Sequence, residues 1–491
     1  MERREFIKNT AWTAVCAASG NRAWAGSAEG RQKQPNILLI MTDQQHAGMM
    51  SCAGDQWVNT PAMDSLARDG IRFEKAYSSN PVCVPSRTAM ATGVMPDRLN
   101  APNNSVGIKK AVIPSNVYEH SLGKTIKSAG YDTFYGGKVH MCETLQPLNS
   151  GYDEYFKDER DELPDVCLEF ITRKRNKPFF AVASFINPHD ICYEYTAYKN
   201  RKINSHKTEG MAKLYHDAVV LTESKLPPLP SNYPVPDKEP AIIDKKLSSK
   251  AVTPARIIRD TYDEREWRIY RWIYRRLTEK VDGHVGRILD GLKDAGLEEN
   301  TLVVFVSDHG DMDAAHRLAS KSQFYDESAR VPFIMKYPGI IPAGVVEQSA
   351  LVTTGLDLLP TLRDYAGVQK LLPNHLLGRS LRDLAEGRTS VPGRRSYVVS
   401  ENAMGGRMIR TGKYKYCVYD DNGRFEESLV DMEADPGELN NLVRESEYQN
   451  ELVRHRAFLK EWIKISGDTV GEKYLTRCMS RTRQIGLLQR Q

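Results

Sequence analysis

Three runs of this chain are apolar almost from end to end: Asn36–Met41 (NILLIM), Phe179–Phe185 (FFAVASF) and Leu302–Val306 (LVVFV). A strand with one face in water alternates apolar and polar residues. An unbroken apolar run has both faces buried, as in a parallel sheet covered by helices. Tyr131–Tyr135 and Val331–Met335 are further strand candidates. Helical patterns lie between them. Pro61–Asp69 follows Thr60 with proline in the first turn, and Val117–Ala129 is a second. The longest runs from about Arg265 to Ala295, with Ile269, Ile273, Leu277, Val281, Val285 and Leu289 at four-residue steps. Strands alternating with helices predict an α/β fold with a large, mostly parallel central sheet flanked by helices.

The 491 residues suffice for more than one core. The sheet pattern spans residues 34–368, a catalytic α/β domain interrupted at 194–262. That interval is rich in Lys, Pro and Asp around Leu226–Pro230 (LPPLP) and reads as an insertion packed over one face. A linker at 369–394 carries Pro373, Pro392 and Gly393. Ser396–Val399, Arg407–Arg410, Tyr414–Tyr419 and Ser428–Asp431 then predict short antiparallel strands, and Glu445–Ile465 a final helix. Residues 395–467 thus form a smaller C-terminal α+β subdomain, followed by a basic, unpatterned tail at 468–491.

Residues 1–30 read as an export signal. Glu2-Arg3-Arg4-Glu5-Phe6-Ile7-Lys8 resembles a twin-arginine motif, and Ala23-Trp24-Ala25 a cleavage pattern, which predicts a periplasmic protein. No run of 18 apolar residues exists, so no transmembrane helix is expected. The net charge of +5 comes with no basic stripe interleaved with aromatics, so no nucleic-acid partner is expected. The eight cysteines stand singly, with no Cys-x-x-Cys pair, which excludes zinc-ribbon and thioredoxin readings. All but Cys83 are expected to be buried thiols or at most one bridge.

Polar groups recur at the strand ends. Asp43-Gln44 follows NILLIM, and Lys138 and His140 follow Tyr131–Tyr135 through Gly136-Gly137. His189-Asp190 follows FFAVASF, and Asp308-His309-Gly310-Asp311 follows LVVFV. Open α/β sheets bind ligands at the carboxyl ends of their strands. Four such placements in one chain predict one convergent site, with Asp43 and Asp308 as oxygen ligands for a hard divalent cation.

Cys83-Val84-Pro85-Ser86-Arg87, followed by Thr92-Gly93, resembles the signature of type I sulfatases in the alkaline-phosphatase-like superfamily. The likeness extends to Gly137-Lys138-Val139-His140, to Asn187-Pro188-His189, and to the segment from Lys321 to Pro332. It continues through Arg410–Tyr416 and Asp435–Leu442, and so covers roughly residues 34–465. The resemblance implies that a maturase oxidises Cys83 to formylglycine (3-oxoalanine), whose hydrate attacks sulfur and then releases sulfate by C–O cleavage. It also implies a metal, usually Ca²⁺ with Mn²⁺ or Mg²⁺ open, held by Asp43, Gln44, modified Cys83, Asp308 and His309. Arg87 would pair with the formylglycine oxygens and His140 with the diol. Lys138, His189 and Lys321 would bind sulfate. His316, seven residues beyond His309, is a further candidate acid, since an imidazole titrates near working pH. The implied substrate is a sulfated sugar derived from polysaccharide or glycosaminoglycan. The alternatives are a phosphonate or phosphate monoester hydrolase on the same scaffold, and a catalytically silent glycan-binding relative.

Overall fold

The computed structural model describes residues 34–194, 206–247, 253–368, 373, 375–388, 395–402, 405–421 and 424–476. The export motif, Cys16, Cys478, much of the 369–394 linker and the end of the tail lie outside the described residues.

Eight strands form the main sheet: β1 (Asn36–Asp43), β2 (Ile71–Tyr77), β3 (Asp132–Gly137), β4 (Glu154–Phe156), β5 (Phe179–Pro188), β6 (Thr301–Ser307), β7 (Phe333–Lys336) and β8 (Val345–Thr353). Their order is β4-β3-β5-β1-β6-β7-β2-β8. All neighbours pair in parallel except β7, which is antiparallel to both β6 and β2. The three apolar runs are the adjacent strands β5, β1 and β6, and every residue in them is buried. Their side chains alternate between two cores. Ile37, Leu39 and Met41 of β1 face one with Phe180, Val182 and Val304. Leu38 and Ile40 face the other with Ala181, Phe185 and Phe305.

The helix Glu264–Asp294 runs over 31 residues and begins in a capping box, with Asp263 accepting from Glu266 N at 2.8 Å and Glu266 from Asp263 N at 3.0 Å. It serves two cores in succession. Val281, Val285, Ile288 and Leu292 cover the sheet. Trp267, Tyr270, Ile273 and Tyr274 pack against Met211, Tyr215, Leu226, Tyr233 and Tyr262 of the insertion. That second cluster gives the Pro-rich insertion its own apolar anchor on the helix.

A second sheet, antiparallel in order β12-β11-β10-β9, comprises β9 (Val398–Asn402), β10 (Gly406–Arg410), β11 (Tyr414–Asp421) and β12 (Arg424–Asp431). The helix Gln449–Ser466 covers it through Leu452, Leu459 and Trp462. Four features differ from the sequence expectations. The edge strand β8 and its neighbour β2 carry charged residues that break the apolar pattern, so neither stood out. Val117–Ala129 is two short helices, Ser115–Tyr118 and Leu122–Ser128. The Pro85-Ser86 pair reads as the start of a helix, but that helix begins at Cys83 itself. Residues 469–476, read as part of an unpatterned tail, are helical, and Tyr474 is buried against Phe425.

Candidate active site

The strand order explains the site. β3, β5, β1 and β6 are consecutive in the sheet and mutually parallel, so their carboxyl ends lie side by side. Lys138, His189, Asp43 and Asp308 stand at or directly after those four ends. At the end of β3 the chain turns through Gly137, whose φ is +92° and whose missing Cβ would lie 2.0 Å from Ser184 O. Only glycine fits there, and the turn delivers Lys138, whose N–H bonds that same oxygen at 2.8 Å.

Cys83 arrives from across the sheet, on the first turn of the helix Cys83–Thr92 that follows β2. Ser78 and Ser86 hold it in place by donating to Asp308 O at 2.7 and 2.6 Å. Asn104 accepts from Val84 N at 3.0 Å. Lys321 comes from the β6–β7 connection, in which Asp313, Ala314, His316, Arg317, Ser320 and Ser322 all have left-handed φ. Each such non-glycine residue costs on the order of 1 kcal/mol. The loop is fixed by Arg275 and Arg271 on Asp313 (3.3 Å each), by Asn232 O on His316 N (2.7 Å) and by Pro81 O on Ser322 N (3.1 Å).

These elements converge on Cys83 Sγ. Lys321 Nζ and His309 Nε2 each lie 3.1 Å from it, and Lys138 Nζ and Asp43 Oδ1 each 3.9 Å. Cys83, Asp43, Asp308 and His309 have no exposed surface. Arg87, 2 % exposed, clamps the two acids: Nη2 donates to Asp43 Oδ2 at 3.0 Å and Nε to Asp308 Oδ2 at 2.7 Å. Its Nη1 donates to Lys138 O and Ser184 Oγ, both at 2.8 Å. Cys83 also lies close enough to Arg87 to act on its charge. Lys138 Nζ adds a 2.5 Å pair to Asp43 Oδ2.

The electrostatics follow from this packing. Burial pushes the Cys83 thiol up, but Lys138, Lys321, His309 and a hydrogen bond with His140 outweigh it and leave the thiol well below its ordinary value. Burial and the neighbouring Cys83 raise Asp43, yet Lys138 and Arg87 hold it far below the carboxylate range. Asp308 goes the other way, raised by burial and then by Asp43. Burial and the two lysines lower His189 to about 3, so it is neutral. Lys321 is raised despite burial, by Cys83 above all.

Asp43, Cys83, Asp308 and His309 each offer a ligand atom, all within 4.8 Å of one another. Arg87 and Lys138 bond the Oδ2 atoms, while the Oδ1 atoms of Asp43 and Asp308 face His309 Nε2 at 3.8 and 3.6 Å. The residues therefore fit a divalent metal, and its charge would reverse the upward shift of Asp308. Gln44 lies beside the cluster, with Oε1 accepting from Lys321 Nζ at 2.7 Å and from the Cys192 thiol at 3.2 Å. His140 and His189 both neighbour Cys83, and among the described residues the Nδ1 of each has no hydrogen-bond partner. Asp190 pairs with Arg160 at 2.8 Å, bracing the turn that holds His189.

His316 is placed elsewhere. Its ring stacks on Tyr325 at 4.0 Å, its backbone bonds Asn232 and Arg259, and burial lowers it to about 3. Among the described residues it shares no hydrogen bond or ion pair with Cys83, Lys321 or His309. Sequence reasoning had no role for Ser184, although it is the one polar residue in FFAVASF. It also had none for Asp311, which it quoted as a strand-end acid, or for Tyr270 and Cys192. The six free cysteines among the described residues include Cys52 and Cys192, both half-buried.

A buried thiol between two lysines and a cluster that could hold a metal, at the carboxyl edge of this sheet, is a setting suited to cleaving anionic esters. The family model for sulfatases matches residues 35–368, and that for the C-terminal part of N-sulphoglucosamine sulphohydrolase matches 314–463. The chain belongs to the sulfatase family, within the alkaline-phosphatase-like superfamily, and is a sulfuric ester hydrolase. Among its relatives is the Delta 4,5-hexuronate-2-O-sulfatase of Bacteroides thetaiotaomicron, 31% identical over 468 residues, which cover 91% of this chain and 92% of that one. The N-acetylglucosamine-6-O-sulfatase of the same organism is 27% identical over 506 residues, covering 89% and 88%. A solved 2-O GAG sulfatase superposes with a TM-score of 0.75 at 29% identity, covering 89% of this chain and 93% of that one.

Proposed function

We propose that this enzyme removes sulfate from a sugar of polysaccharide or glycosaminoglycan origin, using formylglycine made from Cys83 and a divalent metal. One observation carries the reading: Cys83 Sγ stands 3.1 Å from Lys321 and His309, and 3.9 Å from Lys138 and Asp43. Cations on one side and metal ligands on the other suit a group that must be anionic to attack and must face an anionic ester. The relatives that act on hexuronate and N-acetylglucosamine sulfates support the sugar. When present, formylglycine supplies a hydrated aldehyde as nucleophile, and the metal supplies Lewis-acid charge. Calcium is the first choice from the family resemblance; the His309 nitrogen also suits Mn²⁺.

The chain's own residues do the rest. Asp43, Asp308, His309 and Gln44 would hold the metal, and Arg87 fixes both carboxylates. Lys138 and Lys321 bind the sulfate oxygens. His189, beside Cys83 and the two lysines, would bind the sulfate with them, and His140 bonds the nucleophile. His316 takes no part in these contacts.

The matured enzyme should release sulfate from O-sulfated uronic acid or hexosamine oligosaccharides. Turnover of phosphonate or phosphate monoesters with no desulfation of any sugar would instead establish the related hydrolase activity. No turnover of either would leave a silent glycan binder. We also propose export through the twin-arginine route, on the strength of Arg3-Arg4. Cell fractionation should place the mature chain in the periplasm, and Arg3→Lys/Arg4→Lys should strand it in the cytosol. A mature chain found only in cytosol contradicts export.

A further inference from the structure

Arg87, Lys138 and Lys321 bring three positive charges against the carboxylates of Asp43 and Asp308. A third carboxylate stands just behind them. Asp311 has no exposed surface, and its Oδ2 accepts from Gln44 Nε2 at 2.7 Å. Tyr270, on the helix Glu264–Asp294, donates to Asp311 with its hydroxyl 3.0 Å from both oxygens, and Asp313 N–H donates to Oδ1 at 2.8 Å. Each of these partners can donate to a carboxylate, against burial and the nearby Asp313 carboxylate, which raise Asp311 to about 6.

The geometry decides how Gln44 points. With Nε2 on Asp311, Oε1 must face the Cys83 pocket, where it accepts from Lys321. The flipped amide would set its NH₂ against the Lys321 ammonium and its oxygen against the Asp311 carboxylate. Both contacts are repulsive inside a site from which water is excluded. Gln44 itself has no exposed surface and φ of 67°, so its backbone leaves little freedom for the side chain to escape.

We propose that Asp311 is a positioning residue for the metal side of the site. It locks the Gln44 carboxamide with Oε1 toward the pocket. It also supplies, one side chain further out, the negative charge that an acid at position 44 would bring. Tyr270 and Asp313 N–H fix Asp311 in turn, which links the insertion-facing half of the long helix to the site. The proposal rests on the reading of Gln44 as a metal ligand.

The test is calorimetric titration of metal-free, folded protein with Mn²⁺ and Ca²⁺, with thermal melts confirming that each variant folds. Asp311→Asn keeps the shape and removes the charge; it should weaken metal binding by roughly tenfold or more, the usual effect of losing an outer partner of a ligand. Gln44→Glu should then improve binding more in the Asp311→Asn background than in the wild type, where the new carboxylate would abut Asp311. That coupling is the signature of an exchanged charge, and a general loss of stability would not produce it. Wild-type affinity in Asp311→Asn, or strictly additive effects of the two changes, overturns the proposal. Gln44→Leu separates the two layers. Weakened binding in Gln44→Leu beside normal binding in Asp311→Asn removes Asp311 alone. Normal binding in Gln44→Leu removes Gln44 from the metal, and the proposal with it.

Discussion

Replacing Cys83 with alanine should lower kcat by roughly a million-fold, the scale seen when a covalent nucleophile is deleted. The protein should stay folded. Cys83 is fully buried, but its partners are anchored elsewhere: Lys321 on Gln44 Oε1 at 2.7 Å, Lys138 on Asp43 Oδ2 at 2.5 Å, His309 on Gly310 O at 3.0 Å, and Asp43 on Arg87. The variant therefore loses a thiol and little packing. Cys83→Ser is the sharper version. A serine oxygen can accept sulfate from the ester but has no second hydroxyl to expel it, so one equivalent of alcohol should appear and the enzyme should remain sulfated. Mass spectrometry of the Cys83 peptide from active wild-type enzyme should show the aldehyde or its hydrate. An unmodified thiol in active enzyme would falsify the mechanism.

Arg87→Leu should be the most destabilising single change at the site, by about 3–5 kcal/mol in metal-free protein. Arg87 is the common partner of Asp43 and Asp308, neither of which has any exposed surface. Removing it leaves two carboxylates buried together, with Lys138 still on Asp43 but only the Gln44 and His309 N–H groups donating to Asp308, and desolvation of a poorly compensated charge outweighs any gain from leucine packing. It also leaves Lys138 O and Ser184 without their guanidinium donor. Urea unfolding of the two proteins measures this directly. A loss under about 1 kcal/mol, the scale of a solvent-exposed pair, would mean that the acids find other partners. Metal should narrow the difference, because it compensates the same two charges.

Much of the fold was legible because burial on both faces writes itself into composition. NILLIM, FFAVASF and LVVFV are the middle of the sheet. The long helix was legible for the same reason, since its apolar stripe repeats through both of its cores. β2 and β8 were not, because a strand near a sheet edge keeps solvent-facing charges such as Glu74 and Glu347. The left-handed loop before Lys321 was hidden too: no glycine marks it between Asp311 and Ser322, and tertiary hydrogen bonds impose its shape.

The site divides in the same way. The sequence alone set the chemistry: Cys83 in its five-residue motif, and Asp43, Lys138, His189 and Asp308 directly at the ends of apolar runs. Residue type and position along a strand are local properties, readable without knowing what the strand pairs with. The tertiary structure decided which of these groups meet. The order β3-β5-β1-β6 sets four strand ends side by side. The crossing of Cys83 from beyond β2 then brings its sulfur within 3.1 Å of both Lys321 and His309. It also turned Arg87 onto the acids, set His316 against Tyr325, and put Asp311 behind Gln44. Those outcomes depend on distances between residues far apart in the chain, and spacing along a sequence does not determine separation in space until the strands have chosen their neighbours.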